Sequence, residues 1–148
     1  MASPDEPCVA CEIVAGRHVP VGGILLVERG LHLHAVAGPT PVAGWVVLTT
    51  ARHVRCLADL DDAEAVALAR LAVRVQRAQR ATLGAEIAYA VSLGEQVKHF
   101  HLHLIPRYAD TPARLRGPGV FQASPADAIE PATQVRAIAA LRTALAPA

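Results

Sequence analysis

The sequence predicts an α+β fold, an antiparallel sheet with a long central helix and a C-terminal helix. Three observations carry this. Apolar segments of strand length follow one another with links too short for a parallel crossover, which favours antiparallel pairing. The stretch from Asp61 to Leu83 combines a helix start signal with an apolar period close to 3.6 residues. Pro131 opens a further periodic run, at the first helical turn where its missing N–H would have had no partner.

In chain order, Val19-Pro-Val-Gly-Gly reads as a turn and Ile24-Leu-Leu-Val-Glu28 as a short strand. Arg29-Gly30 forms a hairpin turn, and Leu31-His-Leu-His-Ala-Val-Ala37 alternates until Gly38-Pro-Thr-Pro41 breaks it. Gly44-Trp-Val-Val-Leu-Thr-Thr50 is a stronger strand, with His53 just beyond its end. Asp61-Asp-Ala-Glu64 has capping-box spacing, the expected buried face is Ala65, Leu68, Ala69, Ala72 and Val75, and Gly84 stops the helix. Strands from Glu86 to Leu93 and from Lys98 to Arg107 follow, joined by a turn around Gly94-Glu-Gln and closed by Pro106, which cannot donate to a ladder. Prolines and glycines recur from Tyr108 to Ala128 and predict a long loop without regular period. The last helix presents Val135, Ile138 and Leu145 at helical spacing. Residues 1–148 thus read as a single domain, with 109–148 a C-terminal loop and helix.

A chain of 148 residues can bury roughly 70% of its unfolded surface, so one core needs no covalent staple. Apolar residues make up 53% but aromatic ones only 3%, which suits closely packed, alanine-rich helices and leaves apolar surface that a dimer face could cover. A net charge of +1 provides no field to recruit nucleic acid or anionic lipid, so the expected partner is a small molecule. The acidic start of the chain lacks the pattern of a secretion leader, and no apolar run approaches the roughly 20 residues of a membrane helix. A cytoplasmic protein is expected. In that reducing setting Cys8 and Cys11, at Cys-x-x-Cys spacing, suggest metal or redox chemistry, while Cys56 reads as a small buried hydrophobe.

His99-Phe-His-Leu-His-Leu-Ile-Pro carries the most information. A strand has period two, so His99, His101 and His103 share one face while Phe100, Leu102 and Leu104 face the core. Imidazole attacks, carries protons and binds metals near neutral pH, so the array suits any of those tasks. His32 and His34 alternate too, but with no Cys or acid partner nearby they read as solvent-facing strand histidines.

The segment from Gly94 through His99-Phe-His-Leu-His-Leu-Ile-Pro-Arg-Tyr108 resembles the signature of the histidine triad family, His-φ-His-φ-His-φ-φ with φ apolar. The order of the Cys8 segment, the Val-Val-Leu strand, His53, the long helix and the strand after it is also similar, over residues 8–108. The resemblance implies nucleotidyl hydrolysis or transfer, of the phosphoramidase or dinucleoside polyphosphate hydrolase type. The middle histidine, His101, would attack the α-phosphate and form a covalent nucleotidyl-histidine. His103 would hold a phosphate oxygen and His99 would support the site from behind. Gln96 occupies a position where family members place a polar residue that touches the phosphate or the leaving group. The resemblance also implies a homodimer.

Structural zinc takes four Cys or His ligands, of which Cys8 and Cys11 offer the usual close pair. Some members of the family complete such a site with a histidine after the strand equivalent to Trp45 to Thr50 and with the first triad histidine, positions matched by His53 and His99. Two departures bear on the nucleoside. His34-Ala-Val-Ala-Gly38 lacks the acid that family members use on ribose hydroxyls, and Tyr89 to Gly94 lacks their asparagine, offering only Ser92. Two functions therefore stay open: an enzyme cleaving a phosphoramidate or phosphoanhydride, or a zinc-stabilised nucleotide- or phosphate-binding protein with little turnover. A redox protein using Cys8 and Cys11 is a third.

Overall fold

The computed structural model describes residues 7–147, so the acidic residues read at the start of the chain lie outside it. Among the described residues a short helix α1 (Val9–Val14) leads into strands β1 (Ile24–Glu28), β2 (Leu31–Ala35) and β3 (Val46–Thr50). Helix α2 (Asp62–Leu83), strands β4 (Ile87–Val91) and β5 (His101–Arg107) and helix α3 (Pro131–Leu145) follow. The strands form one antiparallel sheet in the order β1-β2-β3-β5-β4. The α+β expectation holds, and no helix among the described residues is long and apolar enough to cross a membrane.

Local chemistry explains the element boundaries. Arg29 and Gly30 both take positive φ, the pair of left-handed residues that a two-residue hairpin with the strands' own twist requires. Asp61 caps α2 by accepting from the Glu64 amide at 2.8 Å, and the Glu64 carboxylate accepts from the Asp61 amide at 3.0 Å. Gly84 ends the helix in the left-handed region.

Helices α2 and α3 cover one face of the sheet. Leu31, Leu33, Leu48, Phe100 and Leu104 meet Leu68, Leu71 and Val75 of α2 and Ile138, Leu141 and Leu145 of α3 in the main core. The face of α2 that is buried runs through Ala67, Leu68, Leu71, Val75, Ala78 and Gln79, so Ala65 and Ala69 are exposed, contrary to the expected stripe. An alanine-rich helix has small residues all round, and its period does not single out which ones the sheet covers. Val135 of α3 is likewise 53% exposed, and Gln134, Ala137 and Leu141 take the buried positions.

Further differences concern the site. The last sheet strand begins at His101 and not at Lys98, so His99 sits in the bend ahead of it. The loop from Tyr108 is organised by 3-10 turns at Ala113–Leu115, Gly117–Gln122 and Pro125–Asp127. Cys56 is exposed, not buried: it caps the 3-10 turn Leu57–Asp59 and donates from its amide to Asp59 at 3.0 Å.

Candidate active site and metal centre

On the sheet face away from the helices, antiparallel register places His32, Thr49 and His101 in one cross-strand row and His34, Val47 and His103 in the next. A pocket of about 420 Å³ opens over these rows. His34, Thr49, His101 and His103 line its floor, Gly94 to Val97 one rim, and Val9, Ala10 and Ile13 of α1 an apolar wall.

The partners of each ring assign its protons. His101 Nδ1 lies 2.7 Å from the His99 carbonyl, which only accepts, so Nδ1 carries the proton and Nε2 of the neutral ring holds a lone pair. His34 is 3% exposed, not solvent-facing as expected: its Nδ1–H donates to Ala35 O at 2.8 Å, and Nε2 accepts from the Thr49 hydroxyl at 2.9 Å. His103 faces His101 edge-on, with centroids 4.9 Å apart, and accepts at Nδ1 from the Trp45 indole N–H at 3.0 Å. Burial, with the neighbouring His101 and His34, pushes His103 down to about 4, so it is neutral at physiological pH.

His99 departs from the other two. It is fully buried, and its Nε2–H donates to Thr50 O at 2.7 Å, which leaves a lone pair on Nδ1. That atom points at Cys8 Sγ (3.6 Å) and Cys11 Sγ (3.4 Å), and Cys11 Sγ lies 3.2 Å from His53 Nδ1. The four ligand atoms of Cys8, Cys11, His53 and His99 all fall within 4.8 Å of one another. A tetrahedron with bonds of about 2.0–2.3 Å has edges of about 3.3–3.8 Å, close to the three sulfur–nitrogen separations, so these donors suit a zinc ion in number and type, and the His99 tautomer leaves Nδ1 to bind it. Burial, then the adjacent Cys8, pushes the Cys11 thiol up to about 11, an opposition to the thiolate that a bound cation would reverse. Arg52 and Glu64 pin the approach to His53 through a two-bond ion pair at 2.9 and 2.6 Å.

The structure thus brings His101 and His103 together in the pocket with Gln96 on its rim, and gathers the four metal-type residues beside it. It separates His99 from the face of the other two. Residues not singled out from sequence are Trp45, Thr49, Phe121 and the α1 wall. Thr49 and Trp45 reach the site through register and a turn, for which a strand pattern offers no signal. The signal available for His34 was its alternation with Leu33 and Ala35.

The fold and the triad at the start of β5 define a class, and comparison with known proteins agrees. The HIT domain family matches residues 32–110, more than half of the chain. The chain belongs to the HIT, or histidine triad, domain family, a superfamily of nucleotide-binding hydrolases and transferases. No curated protein matches it. Among solved structures it is similar to a zinc-bound histidine triad family protein from Mycobacterium smegmatis, at 23% identity and TM-score 0.69 over 93% of this chain and 92% of that one. It is also similar to a Hit-like protein from Bartonella henselae involved in cell-cycle regulation, at 15% identity and TM-score 0.73 over 95% and 98% of the two chains. A hypothetical histidine triad nucleotide-binding protein from Sulfolobus tokodaii matches at 15% and 0.71 over 93% and 91%. At these identities the likeness is one of fold.

Proposed function

We propose that the protein is a nucleotidyl hydrolase or transferase that cleaves a phosphoramidate or phosphoanhydride at the α-phosphate through a covalent nucleotidyl-histidine on His101. The observation that carries this reading is the bond from His101 Nδ1 to the His99 carbonyl, which turns a lone pair on Nε2 toward a pocket of nucleotide size. That lone pair forms a bond to phosphorus as the bond to the leaving group breaks; a leaving phosphate takes the electron pair, and a leaving amine takes it together with a proton from water. Water, or another acceptor, then attacks the phosphorus and returns the electron pair to Nε2, releasing one proton. His103 donates to a phosphate oxygen, the Gln96 amide hydrogen-bonds the phosphate or leaving group, and the apolar wall of Val9, Ala10 and Ile13 receives the nucleoside.

Zinc held by Cys8, Cys11, His53 and His99 would be structural, tying α1 to the segment that leads into β5. The stretch after β2 offers no acid to the ribose: Val36 and Ala37 line the pocket there. This favours, as a second reading, a zinc-stabilised binding protein with little turnover. Trapping a phosphohistidine with a panel of nucleotides separates the two. His101→Asn should abolish both the adduct and turnover while keeping nucleotide binding. Full activity in His101→Asn, or multiple turnover with no adduct in wild type, would remove the covalent mechanism. A homodimer belongs to the same proposal, and sedimentation at micromolar concentration tests it.

A further inference from the structure

Trp45 touches His103 and has no part in the steps above. Its indole N–H donates to His103 Nδ1 at 3.0 Å. An indole nitrogen donates and cannot accept, so Nδ1 must present a lone pair, and the single proton of the neutral ring resides on Nε2. A charged His103 would set two N–H groups against each other across that contact.

Trp45 is not free to turn away. Its side chain is 6% exposed and packs with Val42, Val47, Ile105 and Val120 in a second apolar cluster. Its backbone is held from both helices: Gln134 of α3 accepts from the Gly44 amide at 2.9 Å and reaches Trp45 O at 3.5 Å, and Gln79 of α2 donates to Gly44 O at 3.0 Å. Phe121 stands edge-on to both Trp45 and His103, with centroids 5.4 and 5.5 Å away. It comes from beyond the residues that match the family.

We propose that Trp45 is a positioning residue that locks His103 in one tautomer, a neutral ring whose Nε2–H is the proton left for the pocket. The two neighbouring imidazoles are thereby given opposite tasks: His101 offers a lone pair at Nε2 and His103 a donor. The opposite tautomer of His103 would turn a lone pair toward a phosphate oxygen and repel it. Only the use made of that N–H rests on the proposed phosphoryl transfer, and the tautomer itself stands apart from it.

Nitrogen NMR of the histidine rings in the metal-loaded full chain tests the lock. Wild type should show His103 Nδ1 unprotonated, Nε2 protonated, and a coupling between Trp45 Nε1 and His103 Nδ1 across the hydrogen bond. In Trp45→Phe the His103 signals should average between tautomers, and turnover of the best substrate should fall about tenfold with less change in KM. Phe121→Ala, which removes packing and no donor, should keep the wild-type tautomer. A protonated or mixed Nδ1 in wild type, or an unchanged tautomer in Trp45→Phe, would overturn the proposal. If Trp45→Phe does not fold, the coupling in wild type decides by its presence or absence. A locked His103 in a protein that turns over no nucleotide would leave the lock standing and remove the enzymatic reading instead.

Discussion

Removing the metal should release α1 and leave the sheet folded. The helix has only six residues, too few to be stable by itself, and it buries two apolar side chains, Ala10 and Ile13. Burial of those groups contributes about 2–4 kcal/mol. Ordering six backbone units costs at least about 6 kcal/mol. The shortfall of a few kcal/mol would fall to a metal held by Cys8 and Cys11, joining the helix to His53 and His99. The main core, by contrast, is built from the sheet, α2 and α3 and includes no α1 residue. Hydrogen exchange before and after chelation reads the difference directly. Amides from Cys11 to Ala15 should lose their protection, while those of Leu71 to Gln79 keep theirs. Because Val9, Ala10 and Ile13 form a pocket wall, nucleotide affinity should fall in the same titration. Unchanged protection of α1 in the metal-free protein would show that its apolar contacts hold it unaided, and the estimate would be wrong.

Three further outcomes follow from the packing. Gly44 has φ 78° and a Cβ there would stand 2.4 Å from Leu83 Cδ1, so Gly44→Ala should lower stability by at least about 1–2 kcal/mol in urea unfolding of the metal-loaded protein. The Arg52 guanidinium, with the Asp61 amide, lowers Glu64 from its ordinary 4.5 to about 2, so the unfolded chain takes up that proton first. The stabilisation is then complete above pH 4.5 and lost as pH falls toward 2, and Arg52→Met should flatten this part of the stability–pH curve. Cys56→Ser should keep full metal content and change stability by less than about 0.5 kcal/mol, because the side chain is exposed, whereas Cys8→Ser should lose the metal. Metal analysis and melting curves check both.

Much of this molecule is legible one residue at a time. The capping box at Asp61 and Glu64, the Arg29-Gly30 turn, Gly84 and Pro131 mark their elements because each acts through its own backbone and its near neighbours in sequence. The pairing of Cys8 with Cys11, and the alternation of His101 and His103 against Leu102 and Leu104, are of that kind too. Resemblance to a family then implied His53 and His99 as the remaining ligands. What the sequence could not determine depends on register and on approach between distant segments. His99 joins Cys8, Cys11 and His53 and not the histidine face because the strand begins two residues after it, at His101. His34 is buried because β3 sets Thr49 within reach of its ring, and nothing local to His34 says so. Trp45 meets His103 across 58 residues of chain only because Gln79 and Gln134, from two helices, hold the turn before β3 in place. Local patterns are decided by short-range sterics and hydrogen bonding, but the tautomer of a histidine is decided by whichever donor or acceptor the tertiary fold delivers to its ring.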